Sequence, residues 1–151
     1  MSVAARLAEL GLELPPVAAP LASYVPAVRT GNLVYTSGQL PLQAGVLAGA
    51  GKVGAEISPE QGAELARICA LNALAAVHSV ADIETVVRVV KVVGFVASAP
   101  GFTGQPAVVN GASDLLAQVF GDRGAHARSA VGVAELPVNA PVEVELIVEV
   151  G

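Results

Sequence analysis

The chain has 151 residues, 54% of them hydrophobic and 14% charged, with a net charge of −5 at pH 7. That length suits one domain, residues 1–151, with a single core, and an acidic chain without a Lys/Arg cluster lacks the basic stripe that a nucleic-acid backbone demands. So apolar a composition exceeds what a small domain hides easily, and the surplus predicts a subunit interface.

In chain order, a short helix is expected from about Val3 to Leu10, stopped at Gly11, then a Pro-punctuated irregular segment from Leu14 to Ala22. The opening MSVAARLAELGLELPP contains Arg6 and Glu9 and lacks the apolar run of a signal peptide, and no later segment reaches spanning length without a charge or glycine. No membrane segment is expected. Val25–Arg29 and Asn32–Ser37 read as two strands around a turn at Thr30 and Gly31, and the glycine-rich stretch Gln43–Gly54 reads as a loop with room for one short strand.

Ser58 and Gln61 have capping-box spacing with Pro59 at the first helical position, which predicts a helix to about His78 burying Leu65, Ile68, Cys69 and Leu74. Val86–Val96 is valine almost throughout and is expected to be a central strand covered on both faces. Pro106–Phe120 has apolar residues at 109, 112, 115, 116, 119 and 120, the stripe of a helix laid on a sheet, with Gly121 as its stop. The end, HARSAVGVAELPVNAPVEVELIVEV, reads as a closing hairpin, its first strand Ala127–Ala134 and its second alternating from Val142 to Val150. Together these give an α+β sandwich, a mixed sheet with two long helices on one face, a short N-terminal helix, and the other face left for a second subunit.

Arg128 enters this half-buried sheet, where a guanidinium calls for an anionic partner from the protein or a ligand. Metal and nucleotide chemistry are poorly supported. His78 and His126 have no second ligand at metal spacing, and His78 reads better as a cation at a helix C-terminus. The glycines at 45, 49, 51 and 54 match no phosphate-binding loop, and Ser37-Gly38 is not part of a nucleophile elbow. No metal or cofactor is therefore expected. The lone Cys69 reads as a small buried hydrophobe, which fits a reducing, cytoplasmic setting.

The segments RTGNLVYTSGQLPL, VKVVGFVASAPGF, HARSAVGVAELP and PVEVELIVEV, in this order between about Tyr24 and Val150, resemble the YjgF family, also called the RidA or reactive intermediate deaminase family. The resemblance implies a chorismate-mutase-like α+β fold and a homotrimer with sheets facing inward and clefts between subunits. It also implies hydrolysis of 2-enamine and 2-imine acids, released by pyridoxal-phosphate enzymes, to 2-keto acids and ammonia.

Carried over by position, the family's carboxylate-binding arginine corresponds to Arg128, and its site glutamate, which holds or activates water, to Glu143. Tyr24, Ser37, Gly38 and Asn110 correspond to residues that shape the substrate-binding cleft, and Ala130 stands where the family commonly has cysteine, offering its backbone carbonyl to the water. Further departures are Ala22-Ser23 in place of Gly-Pro, a longer loop at 44–57, extra residues between Phe102 and Asn110, and His126 where proline is common.

Each residue also has a plainer reading. Arg128 could form an ion pair with Glu143, Glu145 or Asp122; Glu143 could be one of a solvated row with Glu145 and Glu149; Tyr24 could be ordinary packing with its hydroxyl satisfied, Ser37 could merely end a strand, and Asn110 could hydrogen-bond within its helix or to a nearby loop. Besides the deaminase, a non-catalytic module binding small carboxylates such as keto acids on the same trimeric scaffold remains open. The ribonuclease label sometimes given to the family fits an acidic chain with two isolated histidines poorly.

Overall fold

The computed structural model describes residues 1–151. Helix α1 (Val3–Glu9) begins at Ser2, whose hydroxyl accepts the Ala5 N–H, while the Glu84 carboxylate accepts the Val3 and Ala4 N–H groups at 2.8 and 3.0 Å. Strands β1 (Ala27–Thr30) and β2 (Leu33–Thr36) are an antiparallel pair, and β3 (Leu42–Gln43) and β4 (Val46–Leu47) form a small separate hairpin inside the predicted loop. Helix α2 (Pro59–His78) starts with the predicted capping box, Ser58 and Gln61 each bonding the other's backbone. Strand β5 (Val86–Ala97), helix α3 (Gln105–Phe120), strand β6 (Ala127–Val133) and strand β7 (Val142–Val150) complete the chain.

The main sheet has the order β1-β2-β7-β5-β6. Two expectations need correction here. The centre is β7, not β5. And β6 and β7 are not a hairpin: β5 lies between them, antiparallel to β7 and parallel to β6. The reason is α3, which makes β5-α3-β6 a crossover unit, the connection that joins adjacent parallel strands. The chain from β6 must then pass β5 to reach β7, and it does so through Pro137, Val138 and Asn139, the last two at positive φ.

Helices α2 and α3 cover one face. From β7 that face receives Val142, Val144, Leu146, Val148 and Val150, all buried, which meet Leu65, Cys69, Leu74, Leu115 and Leu116 in one core. The two helices approach closely because α3 has Gly111 where they cross: a Cβ there would collide with the Ala63 backbone carbonyl. The opposite face, with Tyr35, Phe95, Val131, Ile147 and the glutamates of β7, has no cover within the chain, so one chain covers β5 on its helix side alone. Tyr35 and Val131 are 44% and 45% exposed there, an apolar surface that monomers rarely leave to water. No helix is long and apolar enough to cross a membrane.

Candidate functional site

The predicted site residues fall into two groups. The first is built where the β2–β7 ladder slips. Pairing ends at Tyr35 with Ile147 and resumes at Gln39 with Val144, so residues 36–38 oppose only 145–146. This one-residue bulge re-aims the strand end. Thr36 Oγ1 accepts the Leu146 N–H at 2.9 Å, so the slip leaves that buried donor satisfied. Ser37 and Gly38 are carried over the side chain of Glu143, and with Glu143 in this position only a glycine fits: a Cβ on residue 38 would lie 2.7 Å from Glu143 Cδ.

Around them is a cavity of about 500 Å³, walled by Ala18, Leu21, Tyr24, Leu40, Leu42 and Pro137 and reaching Ser37, Gly38 and Glu143. The polar groups other than Glu143 are already engaged. Ser37 Oγ donates to the Val25 carbonyl at 2.6 Å, the Tyr24 hydroxyl accepts the Leu21 N–H at 3.2 Å, and the Gln39 amide donates to the Ser37 carbonyl. Glu143 differs: the ion pairs of the chain are Arg6–Glu9 and Lys52–Glu135, so its carboxylate has no cation beside it. Burial, and secondarily the charge of Glu145, raise its pKa above the ordinary carboxylate value. A half-buried, unpaired carboxylate with a raised pKa in an apolar cavity is suited to taking and returning a proton.

The second group lies at the other edge of the sheet. Arg128 on β6 is in register with Val92 and, through it, with Leu146, so its side chain stands on the helix-covered face and reaches along α3. It does not form the ion pair considered above. Its Nη1 donates to Asn110 Oδ1 at 2.7 Å and to Ser113 Oγ at 3.2 Å, and its Nη2 donates to the Pro106 carbonyl at 3.3 Å. Three neutral acceptors orient the guanidinium without neutralising it. Nε–H and one N–H of Nη2 remain free, two donors such as a carboxylate accepts in bidentate fashion. Ala130, two residues on, shares this face and packs against the core's edge.

The structure thus brings Arg128 and Asn110 together, and separately Tyr24, Ser37, Gly38 and Glu143. It does not join the groups within one chain. Sequence reasoning missed Ser113 and Gln39. It also missed Asn72, whose amide donates to the Leu40 and Leu42 carbonyls and so fixes the cavity wall. An asparagine on the apolar face of α2 was the available signal.

His78 corrects another expectation. Its Nδ1 accepts the Ile83 N–H at 3.1 Å, which an imidazolium cannot do, so it caps the following turn rather than opposing a dipole. Cys69 is fully buried, its pKa pushed well up by burial and then by Glu143, with its thiol donating to the Val142 carbonyl. It is a packing residue. No cluster of three His, Cys, Asp or Glu side chains forms a metal site.

Comparison with known proteins places these features in a broader set. The family model for endoribonuclease L-PSP matches residues 16–150. Protein TCP17 of Trypanosoma cruzi is 46% identical over 149 residues, covering 97% of this chain and 93% of that protein. The crystal structure of Atu1372 from Agrobacterium tumefaciens, a protein of unknown function, superposes with a TM-score of 0.92 at 46% identity, over 99% of this chain and 92% of the other. The E. coli YjgF gene product is 28% identical with a TM-score of 0.61, covering 90% and 93% of the two chains. E. coli TdcF, crystallised with bound serine, is 27% identical with a TM-score of 0.63, covering 91% and 94%.

Proposed function

The chain belongs to the endoribonuclease L-PSP family, the group that contains YjgF, and within it we propose that this protein hydrolyses reactive 2-imino and 2-enamino acids to 2-keto acids and ammonia. The observation that carries this reading is Glu143, a carboxylate without a cation partner, held against Gly38 in an otherwise apolar cavity. The serine bound in E. coli TdcF adds support, since it is a small 2-amino carboxylate.

The protein works as a homotrimer in this reading, with the uncovered sheet faces turned inward and Arg128 of one subunit closing the Glu143 cavity of its neighbour. Arg128 clamps the substrate carboxylate through its two free N–H groups, and Asn110 keeps it aimed. Glu143, ionised, takes a proton from water as the oxygen attacks the iminium carbon, with the Ala130 carbonyl holding the water. The carbon becomes a tetrahedral carbinolamine. Glu143 then returns the proton to nitrogen, the C–N bond breaks with its electron pair leaving on ammonia, and the hydroxyl proton passes by way of the Glu143 carboxylate to that ammonia, leaving the ketone and ammonium. General acid–base assistance of this kind contributes about 10²- to 10⁴-fold. No cofactor enters these steps. A buried free thiol such as Cys69 is compatible with the reducing cytoplasm as its location.

The test generates 2-aminoacrylate in place with a pyridoxal-phosphate dehydratase, traps it with semicarbazide, and measures keto-acid release. Wild type should compete with the trap and Arg128→Ala should not; equal rates with both, or with no protein, overturn the reading. A second reading, a binding module without turnover, is favoured by the bound serine of TdcF, and calorimetric binding of pyruvate without deaminase activity would select it. The family's ribonuclease description gains nothing from the site: the net charge is −5, and both histidines are committed to local hydrogen bonds.

A further inference from the structure

The deaminase reading leaves one side chain without a task, and its contacts form a line that ends at Arg128. His126 Nδ1 is 2.6 Å from the Gly124 carbonyl, His126 Nε2 is 2.8 Å from Ser113 Oγ, and Ser113 Oγ is 3.2 Å from Arg128 Nη1. With the His126 ring neutral, the direction of every hydrogen in this line follows from its ends. A carbonyl only accepts, so Nδ1 carries the proton; in a neutral ring Nε2 is then an acceptor, so the Ser113 hydroxyl must donate to it. Arginine only donates, and the lone pair that Ser113 turns away from His126 receives its Nη1–H.

From this polarity we infer that His126 is a positioning residue for the carboxylate clamp, acting on Arg128 through Ser113. A serine hydroxyl in a helix otherwise turns its hydrogen to the carbonyl one turn back or to water, and its lone pairs turn with it. His126 removes that freedom, because it claims the hydrogen. The line also accounts for the free donors on Arg128. Ser113 and Asn110 between them use both hydrogens of Nη1, which leaves Nε–H and the second Nη2–H for a bidentate anion. His126 and Ser113 are both half-buried, so water competes with the line only in part. The Gly124 carbonyl that anchors it is held where the turn after α3 packs against the Leu116 backbone, so closely that residue 124 has no room for a Cβ.

The inference rests on the proposed role of Arg128, and the experiment separates the two. Steady-state kinetics of imine hydrolysis are compared for wild type, His126→Ala, His126→Gln and Ser113→Ala. A positioning role predicts KM higher by about tenfold for His126→Ala and Ser113→Ala with kcat within about threefold, since ground-state and transition-state binding of the carboxylate are weakened alike. His126→Gln, whose side-chain oxygen accepts the same hydroxyl, should recover most of the KM.

An unchanged KM in His126→Ala or no recovery by glutamine overturns the inference. ¹⁵N NMR of the His126 ring reads the same line without any activity: Nδ1 protonated and Nε2 bare is expected, and the reverse tautomer refutes it. If wild type shows neither turnover nor pyruvate binding, the deaminase reading falls while the NMR result still decides the relay.

Discussion

Arg128 and Glu143 stand on opposite faces of one sheet. Arg128 shares a register row with Val92 and Leu146 on the helix-covered side, whereas Glu143 shares one with Phe95 and Val131 on the uncovered side. Two strand spacings and three residues of rise also separate them, roughly 10 Å in each direction. No rotamer change within one chain brings both to a three-carbon substrate. If the two act on one molecule, they come from two subunits, and the uncovered apolar face gives those subunits a reason to associate.

Gly38 lets the bulge of β2 lie against the Glu143 carboxyl. Because the obstacle to a Cβ is the far end of a flexible side chain, Gly38→Ala should fold with a nearly unchanged melting temperature while moving Glu143 off its place. Imine hydrolysis should fall by at least about tenfold, in line with loss of aligned acid–base help. Full activity in this variant would show that the contact is incidental.

Glu143 should also be visible in stability. Its raised pKa means that folding favours the protonated form, a contribution fully present below the ordinary carboxylate pKa and lost as pH rises through the folded value. Glu143→Gln cannot ionise and so escapes that loss. The variant should melt higher than wild type at pH 7, and the gap should close below about pH 4. A constant gap across that range, or a less stable variant at pH 7, contradicts the assignment.

Gly111 sets the distance between α2 and α3. Replacing it with alanine gains about 1 kcal/mol of helix propensity but forces two backbones apart, where no rotamer can relieve the clash. Overpacking of about 1–3 kcal/mol should win. The expected result is a melting temperature lower by several degrees, at about 2–4 °C per kcal/mol for a chain of this size; an unchanged or higher value would mean the helices sit further apart in solution.

The walls of the cavity at Ala18, Leu21, Leu40, Leu42 and Pro137 provide no free polar group, and Glu143 is the charge within it. Imines with aliphatic side chains should therefore be hydrolysed faster than those with carboxylate side chains. With amino-acid oxidase generating each imine in place, the leucine-derived substrate should exceed the aspartate-derived one in kcat/KM by at least about tenfold, the scale of one misfit group in an apolar pocket. Equal values would place the substrate side chain elsewhere.

Much of the fold was legible in the sequence because its signals are local. The capping box at Ser58, the stripe from Val109 to Phe120 and the alternation of β7 each reappear as read. Strand order was not legible. The Pro-containing link between β6 and β7 looks like a hairpin turn, and only the pairing of β6 with β5, set by the α3 crossover, excludes it. In the site, the resemblance pointed to Arg128 and Glu143 but not to the faces they occupy. Ser113 and Asn72 escaped notice because a lone polar residue in a helix reads alike whether it faces water or a buried acceptor.

Subunit mixing tests the central claim most directly. Arg128→Ala and Glu143→Gln, each inactive alone, are unfolded together, refolded at equal ratio and assayed for imine hydrolysis. If each cleft takes its arginine from one subunit and its glutamate from the next, random assembly leaves about a quarter of the clefts intact, and activity should return to about that fraction of wild type. If mixed assemblies form and remain as inactive as the separate variants, Arg128 and Glu143 do not meet across subunits, and the account is wrong.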